Sequence, residues 1–215
     1  MVPTHTHPVL PTGVAEVDAA LSIGGVPCGA LTELVGENST GKSWLALRTI
    51  ASAQQQGKAC LLLDTEGACH PVWMRRNGVD TDALVVARPN SFDAARTIID
   101  EALYNRLCDL LVIDSLHGLA PQRTGQSVLT PFYTLLPHLQ TLVTATGAAC
   151  LITNHLSLPD GQPVPFGNDL MRQYAAVRAL LTLEAENMEG IDVRFEVKRN
   201  NLAPQLGEAV FPIAF

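Results

Sequence analysis

The chain has 215 residues, 47% of them hydrophobic and 16% charged, which is enough for one sizeable core and too short for two ordinary domains. No apolar run reaches the roughly 18 residues of a membrane span, so a membrane partner is not expected. The 14 Lys and Arg against 21 Asp and Glu give a formal net charge of −7, the wrong sign for gripping nucleic acid by charge alone.

The opening MVPTHTHPVLPTG has neither the basic n-region nor the apolar h-region of a signal peptide, so a cytoplasmic protein is expected. Residues 1–10 read as a flexible arm and 11–215 as one domain. His5 and His7 lack a nearby third ligand, so the arm is not read as a metal site. A short helix is predicted over Val14–Ser22, a turn over Gly24–Gly29 and a strand over LTELV. The loop GENSTGKSW, Gly36 to Trp44, then feeds a helix, LALRTIASAQQQ. Beyond Gly57, KACLLLD is a strand ending at Asp64, LVVA is an apolar run, and Ser91–Leu107 carries Phe92, Ala95, Ile98, Ile99 and Ala102 near helical spacing.

DLLVID and AACLIT are short apolar runs typical of parallel strands covered on both faces. Between them Gln126–Thr146 reads as helical, broken at Pro131 and Pro137, each placed to begin a helix. AVRALLTLE, IDVRFEVKR and EAVFPIAF read as edge strands, antiparallel to one another. Strands alternating with helices give a three-layer α/β domain with a mostly parallel sheet. Five cysteines without a C-x-x-C pair read as reduced thiols in or near the core.

Gly36, Gly41, Lys42 and Ser43 match G-x-x-x-x-G-K-[ST]. Glycines let the backbone wrap phosphate oxygens, the lysine reaches the β- and γ-phosphates, and the hydroxyl ligates Mg²⁺. The following helix directs its positive end at the same anion. The predicted nucleotide set is therefore Gly36, Glu37, Asn38, Ser39, Thr40, Gly41, Lys42, Ser43 and Trp44, with ATP and Mg²⁺ as ligands. Hydrolysis needs a carboxylate at a buried strand end to hold the metal, and Asp114 closes LLVID. It also needs a group that aims water. Glu66 of DTEG lies just past another core strand, where open α/β sheets bind ligands, with Asp64 as the alternative.

These pieces, in order, are TGVAEVDAALSIGGVPCGALTELVGENSTGKS, CLLLDTEGACHPVWMRRNGVD, LLVIDSLHGLAP, LITNHL and YAAVRALLTLE. Together they resemble the ATPase core of the RecA/RadA recombinase family over Pro11 to Phe215. The resemblance implies a RecA-like P-loop NTPase fold and makes Glu66 the catalytic glutamate. It places Trp73 where an aromatic ring stacks on adenine, although an indole there also serves to anchor its short helix. His155 stands where the family has a glutamine linking the γ-phosphate to DNA-binding loops, as in divergent paralogues that carry TNH. A histidine can donate to phosphate there or be an ordinary polar residue.

Other departures concern DNA and assembly. The family's self-assembly segment is not seen before PTGVAEVD. The first presumed DNA loop, PQRTGQSVLT, has one cation, Arg123, and the second, HLSLPDGQPVPFGNDLM, has none before Arg172. Phosphate contacts supply most nucleic-acid affinity, so weak single-stranded DNA binding is expected, with Arg75, Arg76, Lys198 and Arg199 as other cations that could serve. Arg199 of KRNN matches a position that offers a cation to a neighbour's ATP, whereas Asn201 does not, so self-association through ATP sites is open. The resemblance implies an ATPase in recombinational DNA repair, a paralogue or accessory factor working with a recombinase or repair polymerase. The alternative is an ATP-dependent interaction module like the RecA-like accessory proteins of translesion synthesis, which CGALTEL also resembles.

Overall fold

A computed structural model describes residues 7–121, 128–157 and 163–214. In chain order these form β1 (Val9–Leu10), α1 (Ala15–Ala20), β2 (Val26–Pro27), β3 (Leu31–Gly36), α2 (Lys42–Gln55), β4 (Cys60–Asp64), α3 (Pro71–Arg76), β5 (Leu84–Ala87) and α4 (Phe92–Tyr104). Then come β6 (Leu110–Asp114), a 3-10 turn (His117–Leu119), α5 (Phe132–Thr146), β7 (Ala149–Ser157), β8 (Val164–Pro165), α6 (Asn168–Tyr174), β9 (Ala175–Glu186), β10 (Gly190–Asn200) and β11 (Glu208–Ala214).

The main sheet runs β11-β10-β9-β3-β7-β6-β4-β5, with β8 paired to β7. From β9 to β5 all neighbours are parallel, and β10 and β11 add antiparallel strands at one edge. β4 and β6 are buried at every residue because helices cover both faces. One core unites α1, α2, α3 and the β10–β11 strands, and the other unites α4, α5 and α6, giving three layers. Local chemistry sets several helix ends. Ser91 Oγ caps α4 by accepting from Ala94 N at 3.1 Å, and Gly147, at φ 77°, ends α5 in the left-handed conformation.

The predicted helix from Gln126 is corrected: α5 begins at Phe132, with Pro131 as its N-cap, and Pro137 lies inside it rather than starting a second helix. A proline inside a helix removes one backbone bond and crowds the preceding turn. Here Leu135, Leu136, Leu139, Leu142 and Val143 are all buried along the same helix, and that apolar stripe holds it together. Val9 and Leu10, assigned from sequence to the arm, pair antiparallel with Val26 and Pro27. His5 and Arg123 lie outside the described residues. All five cysteines are free, and burial pushes the Cys60 thiol up to about 12 and that of Cys108 to about 11. No helix among the described residues is long and apolar enough to cross a membrane.

β3 carries a buried carboxylate, Glu33, with no exposed surface. Arg178 Nε of β9 donates to one of its oxygens, and Asn154 Nδ2 of β7 donates to the other at 2.7 Å. Asn154 Nδ2 also reaches the Phe166 carbonyl at 2.8 Å, and Arg178 Nη2 reaches Asn168 Oδ1 at 3.1 Å. Burial pushes the Glu33 carboxyl up, against the pull of Arg178 and Asn154. Replacing Arg178 alone leaves that charge uncompensated. Arg178→Met is expected to cost about 3–5 kcal/mol of stability, read as a lower urea midpoint at unchanged slope; a midpoint equal to the parent's would contradict this role.

Candidate nucleotide site

Four adjacent parallel strands deliver the predicted residues to one edge of the sheet. β3 ends at Gly36, opposite His155 of β7, and β4 and β6 end with Asp64 opposite Asp114. The loop after β3 depends on its glycines. A Cβ at Gly36 would sit 2.5 Å from both the Leu181 carbonyl and Thr40 Oγ1, so a larger residue would push the loop off β9. Gly41 adopts φ 83°, the left-handed region that glycine occupies freely. No side chain caps α2, so the first N–H groups of a 14-residue helix face the loop.

Lys42 is 5% exposed, and its Nζ donates to the carbonyls of Gly36 at 3.0 Å and Glu37 at 2.5 Å. An ammonium has three protons, so one remains after these two bonds. Burial lowers the Lys42 pKa, opposed by the charges of Asp114, Glu66 and Glu37. The lysine is thus already close to the two predicted carboxylates. Asp114 is buried. Thr153 Oγ1 donates to its Oδ1, and Cys69 Sγ lies 3.7 Å from Oδ2. A cis peptide joins Asp114 to Ser115.

Glu66 is held by His155, which the sequence reading singled out as a phosphate sensor, and by Ser115, which it did not. Ser115 Oγ donates to Glu66 Oε1, and His155 Nε2 lies 2.7 Å from the same oxygen. The Glu66 backbone is fixed one residue earlier. Thr65 Oγ1 donates to the Ser115 carbonyl and accepts from Ser115 N, each at 2.8 Å, while Thr65 N donates to the Asp114 carbonyl. A Cβ on Gly118 would come within 2.2 Å of Thr65 Oγ1, so the turn after β6 packs directly on this segment. Ser115 was visible only as the third letter of IDS, and Thr65 as the x of D-x-E.

Asp64, the alternative to Glu66, is engaged elsewhere. It is 1% exposed, pairs with Arg88 Nε at 2.8 Å, and accepts from Ala68 N and Cys69 N. Its carboxylate anchors the segment that carries Glu66. The Trp44 side chain leans away from the loop onto Phe211, with ring centroids 5.7 Å apart at 17°, and Arg48 sits 5.9 Å over its ring. Trp73 is half-buried on α3 and packs against the same core as Trp44. Arg199 Nε donates to Asn201 Oδ1 at 2.9 Å, and Lys198 pairs with Glu196 at 2.8 Å, so both cations of KRNN have partners within the chain.

A cleft of about 700 Å³ opens beside these groups, lined by Asn38, Glu66, His117, His155, Leu156 and Phe166 among others. The residues fit a magnesium triphosphate. Two glycines admit a close backbone approach, a lysine amine and uncapped helix N–H groups face an anion, and a hydroxyl and a carboxylate, Ser43 and Asp114, supply the oxygen donors that Mg²⁺ takes.

Burial would raise the Glu66 pKa, but the hydrogen bonds from Ser115 and His155, with the charges of His155 and His117, outweigh it and hold the carboxyl below its usual value. A depressed folded pKa contributes stability that is full above the unfolded value and is lost as pH falls through the folded one. In Ser115→Ala the largest lowering contribution is gone while burial stays, so the Glu66 carboxyl should titrate at higher pH. Carbon-13 NMR of the Glu66 carboxyl measures this; a midpoint unmoved from the parent would show that Ser115 does not hold it.

Residues 4–127 match the RecA N-terminal domain family model. The chain is 30% identical to Protein RecA of Haemophilus ducreyi over 95% of its own length and 60% of that protein's. It is 33% identical to Protein RecA of Chlorobaculum tepidum over 96% of its length and 65% of the relative's. A Dictyostelium discoideum protein named Mitochondrial DNA repair protein recA homolog is 31% identical over 96% of this chain and 50% of that protein. The chain thus spans between half and two thirds of the length of these relatives. With a family model covering more than half of its residues and a sheet order that brings the phosphate loop, Asp114, Glu66 and His155 to one edge, the chain belongs to the RecA family.

Proposed function

We propose that this protein binds Mg·ATP and hydrolyses its γ-phosphate in recombinational DNA repair, as a paralogue or accessory factor with weak affinity for single-stranded DNA. Residues 11–215 act as one ATPase domain. The observation that carries the reading is the meeting of Lys42, Asp114 and Glu66 at one end of the parallel strands, with Ser115 and His155 fixing the Glu66 carboxylate.

Lys42 and the loop amides hold the phosphate charge, and Ser43 and Asp114 hold the metal. Bound Mg²⁺ supplies electrostatic stabilisation of phosphoryl transfer. Glu66, ionised because its neighbours favour the charged form, orients the attacking water and accepts its proton. The His155 carbonyl accepts from Phe166 N at 3.0 Å while its ring meets Glu66, so His155 can relay between the return of the second presumed DNA loop and the glutamate. Trp73 offers a stacking surface for the base. Arg199, near the C-terminal end of β10, is the cation for a neighbouring copy's nucleotide, which would require it to leave Asn201.

ATP turnover with and without single-stranded DNA tests the reading. Lys42→Ala should abolish productive nucleotide binding while leaving the chain folded, because it removes the phosphate cation and two hydrogen bonds within the loop but leaves the sheet and helix packing intact; parental affinity would overturn the loop assignment. Glu66→Gln should bind Mg·ATP nearly normally and turn over about 10² to 10⁴-fold more slowly, whereas unchanged turnover would remove Glu66 from the reaction. The scarcity of cations in the two presumed DNA loops favours a second reading, an ATP-dependent module that docks a repair polymerase or recombinase. Complex formation that requires ATP without turnover would select it.

With Arg123 the one cation of the first presumed loop and Arg172 the first after the second, single-strand binding should fade at modest salt. Each phosphate contact contributes a slope of about −0.7 in log K against log salt, so a titration with a fluorescent oligonucleotide should give a shallow slope and low affinity. Tight binding that persists at high salt, or regular filaments of the protein alone in electron micrographs, would restore a strand-exchange recombinase.

A further inference from the structure

Five aromatic rings stand in series across one face of the domain and end on Glu66. Phe92, the first residue of α4, meets Phe132, the first residue of α5, with centroids 5.4 Å apart at 79°. Phe132 meets Phe166 at 5.5 Å and 80°, and Phe166 meets His117 at 5.2 Å and 88°. His117 meets His155 at 6.0 Å and 79°, and His155 Nε2 contacts Glu66 Oε1 at 2.7 Å. Every ring pair is edge-to-face, the arrangement in which the positive rim of one ring meets the negative face of the next.

The placement of these rings in the chain gives the series its meaning. His117 precedes and Phe132 follows the first presumed DNA loop, while His155 begins the second and Phe166 lies within it. One ladder therefore joins described residues on either side of the first loop to two residues of the second, and terminates on the group proposed to aim water. His155 has two relevant contacts: its Nε2 on Glu66, and its ring against His117. An imidazole with a hydrogen bond at one nitrogen still rotates about its side-chain torsions unless something packs its ring. His117, itself exposed and without a hydrogen bond to Glu66, supplies that packing, and Phe166 with Phe132 behind it stops His117 from swinging outward.

We infer that His117, backed by Phe166, is a positioning residue for Glu66: it fixes the His155 ring so that Nε2 stays on the carboxylate. The inference rests on the ATPase reading above. It assigns a role to the ring of His117, not to its charge, although that charge also acts on Glu66. The two are separable, because phenylalanine keeps the ring and removes the charge.

The test compares the parent with His117→Ala, His117→Phe and Phe166→Leu, all as the full chain. His117→Ala should retain the parent's Mg·ATP affinity and melting temperature but lose roughly tenfold in kcat, a fraction of the 10² to 10⁴-fold a water-positioning group contributes, because Ser115 still holds the carboxylate. His117→Phe should restore most of the rate, and Phe166→Leu should lower it although its ring lies two contacts from Glu66. In nucleotide-free protein the nitrogen-15 resonance of His155 Nε2 should keep its parental position in His117→Phe and move toward that of a free imidazole in His117→Ala. A parental kcat in His117→Ala, or a His117→Phe as slow as His117→Ala, overturns the inference while parental turnover stands. A parent that binds Mg·ATP and never turns it over overturns the ATPase reading, and the inference with it.

Discussion

The carboxylate of Glu33, buried in the middle of the sheet and shared between Arg178 of β9 and Asn154 of β7, sets the height at which three strands deliver the site. β3 runs three residues beyond Glu33 to Gly36, and on β7 His155 directly follows Asn154. A slip of either strand would break a buried ionic contact whose loss leaves an uncompensated charge. Hydrophobic packing alone would not fix that register so sharply, because Leu, Val and Ile tolerate small sliding displacements. The same network holds the Phe166 carbonyl and the Asn168 side chain. The return of the second presumed DNA loop is therefore tied to the register that places the phosphate loop.

A net charge of −7 poses a problem for any protein that binds a polyanion. The structure meets it locally. Lys42 is desolvated, and its neighbours Asp114, Glu66 and Glu37 are all acidic, so the lysine alone does not make the site positive. Uncapped N–H groups of α2 add fixed partial positive charge, and a divalent cation on Ser43 and Asp114 would reverse the local sign. Affinity for free triphosphate without metal should therefore be poor, since both carboxylates would repel it. Burial opposes ionisation of Glu66, and the hydrogen bonds of Ser115 and His155, with the charges of His155 and His117, together outweigh it.

Much of this was legible in the sequence. Short fully apolar runs ending in acidic residues marked β4 and β6 because both faces are covered, and the phosphate loop announced itself through glycines whose absent side chains are required by Leu181 and Thr40. Other features were hidden. Pro137 read as a helix start because local propensity disfavours it inside, and tertiary packing of α5 overrode that preference. Glu66 led on paper with Asp64, two residues away, as the alternative. Only Arg88, distant in sequence, separates a carboxylate engaged in an ion pair from one left facing the cleft. The ring ladder draws on Phe92, Phe132, Phe166, His117 and His155, spread over more than sixty residues, and no periodicity connects them.

The antiparallel edge has a role beyond closing the sheet. A Cβ on Gly41 would meet Ile213 of β11 at 2.6 Å and Val193 of β10 at 3.4 Å, and Trp44 of the first turn of α2 stacks on Phe211. The phosphate loop is thus buttressed on one side by the last two strands, while β9 presses on Gly36 from the other. Arg199 lies on β10, the same strand whose Val193 touches the loop. A change in the phosphate loop would therefore press directly on β10 and β11, with no intervening domain needed to carry it.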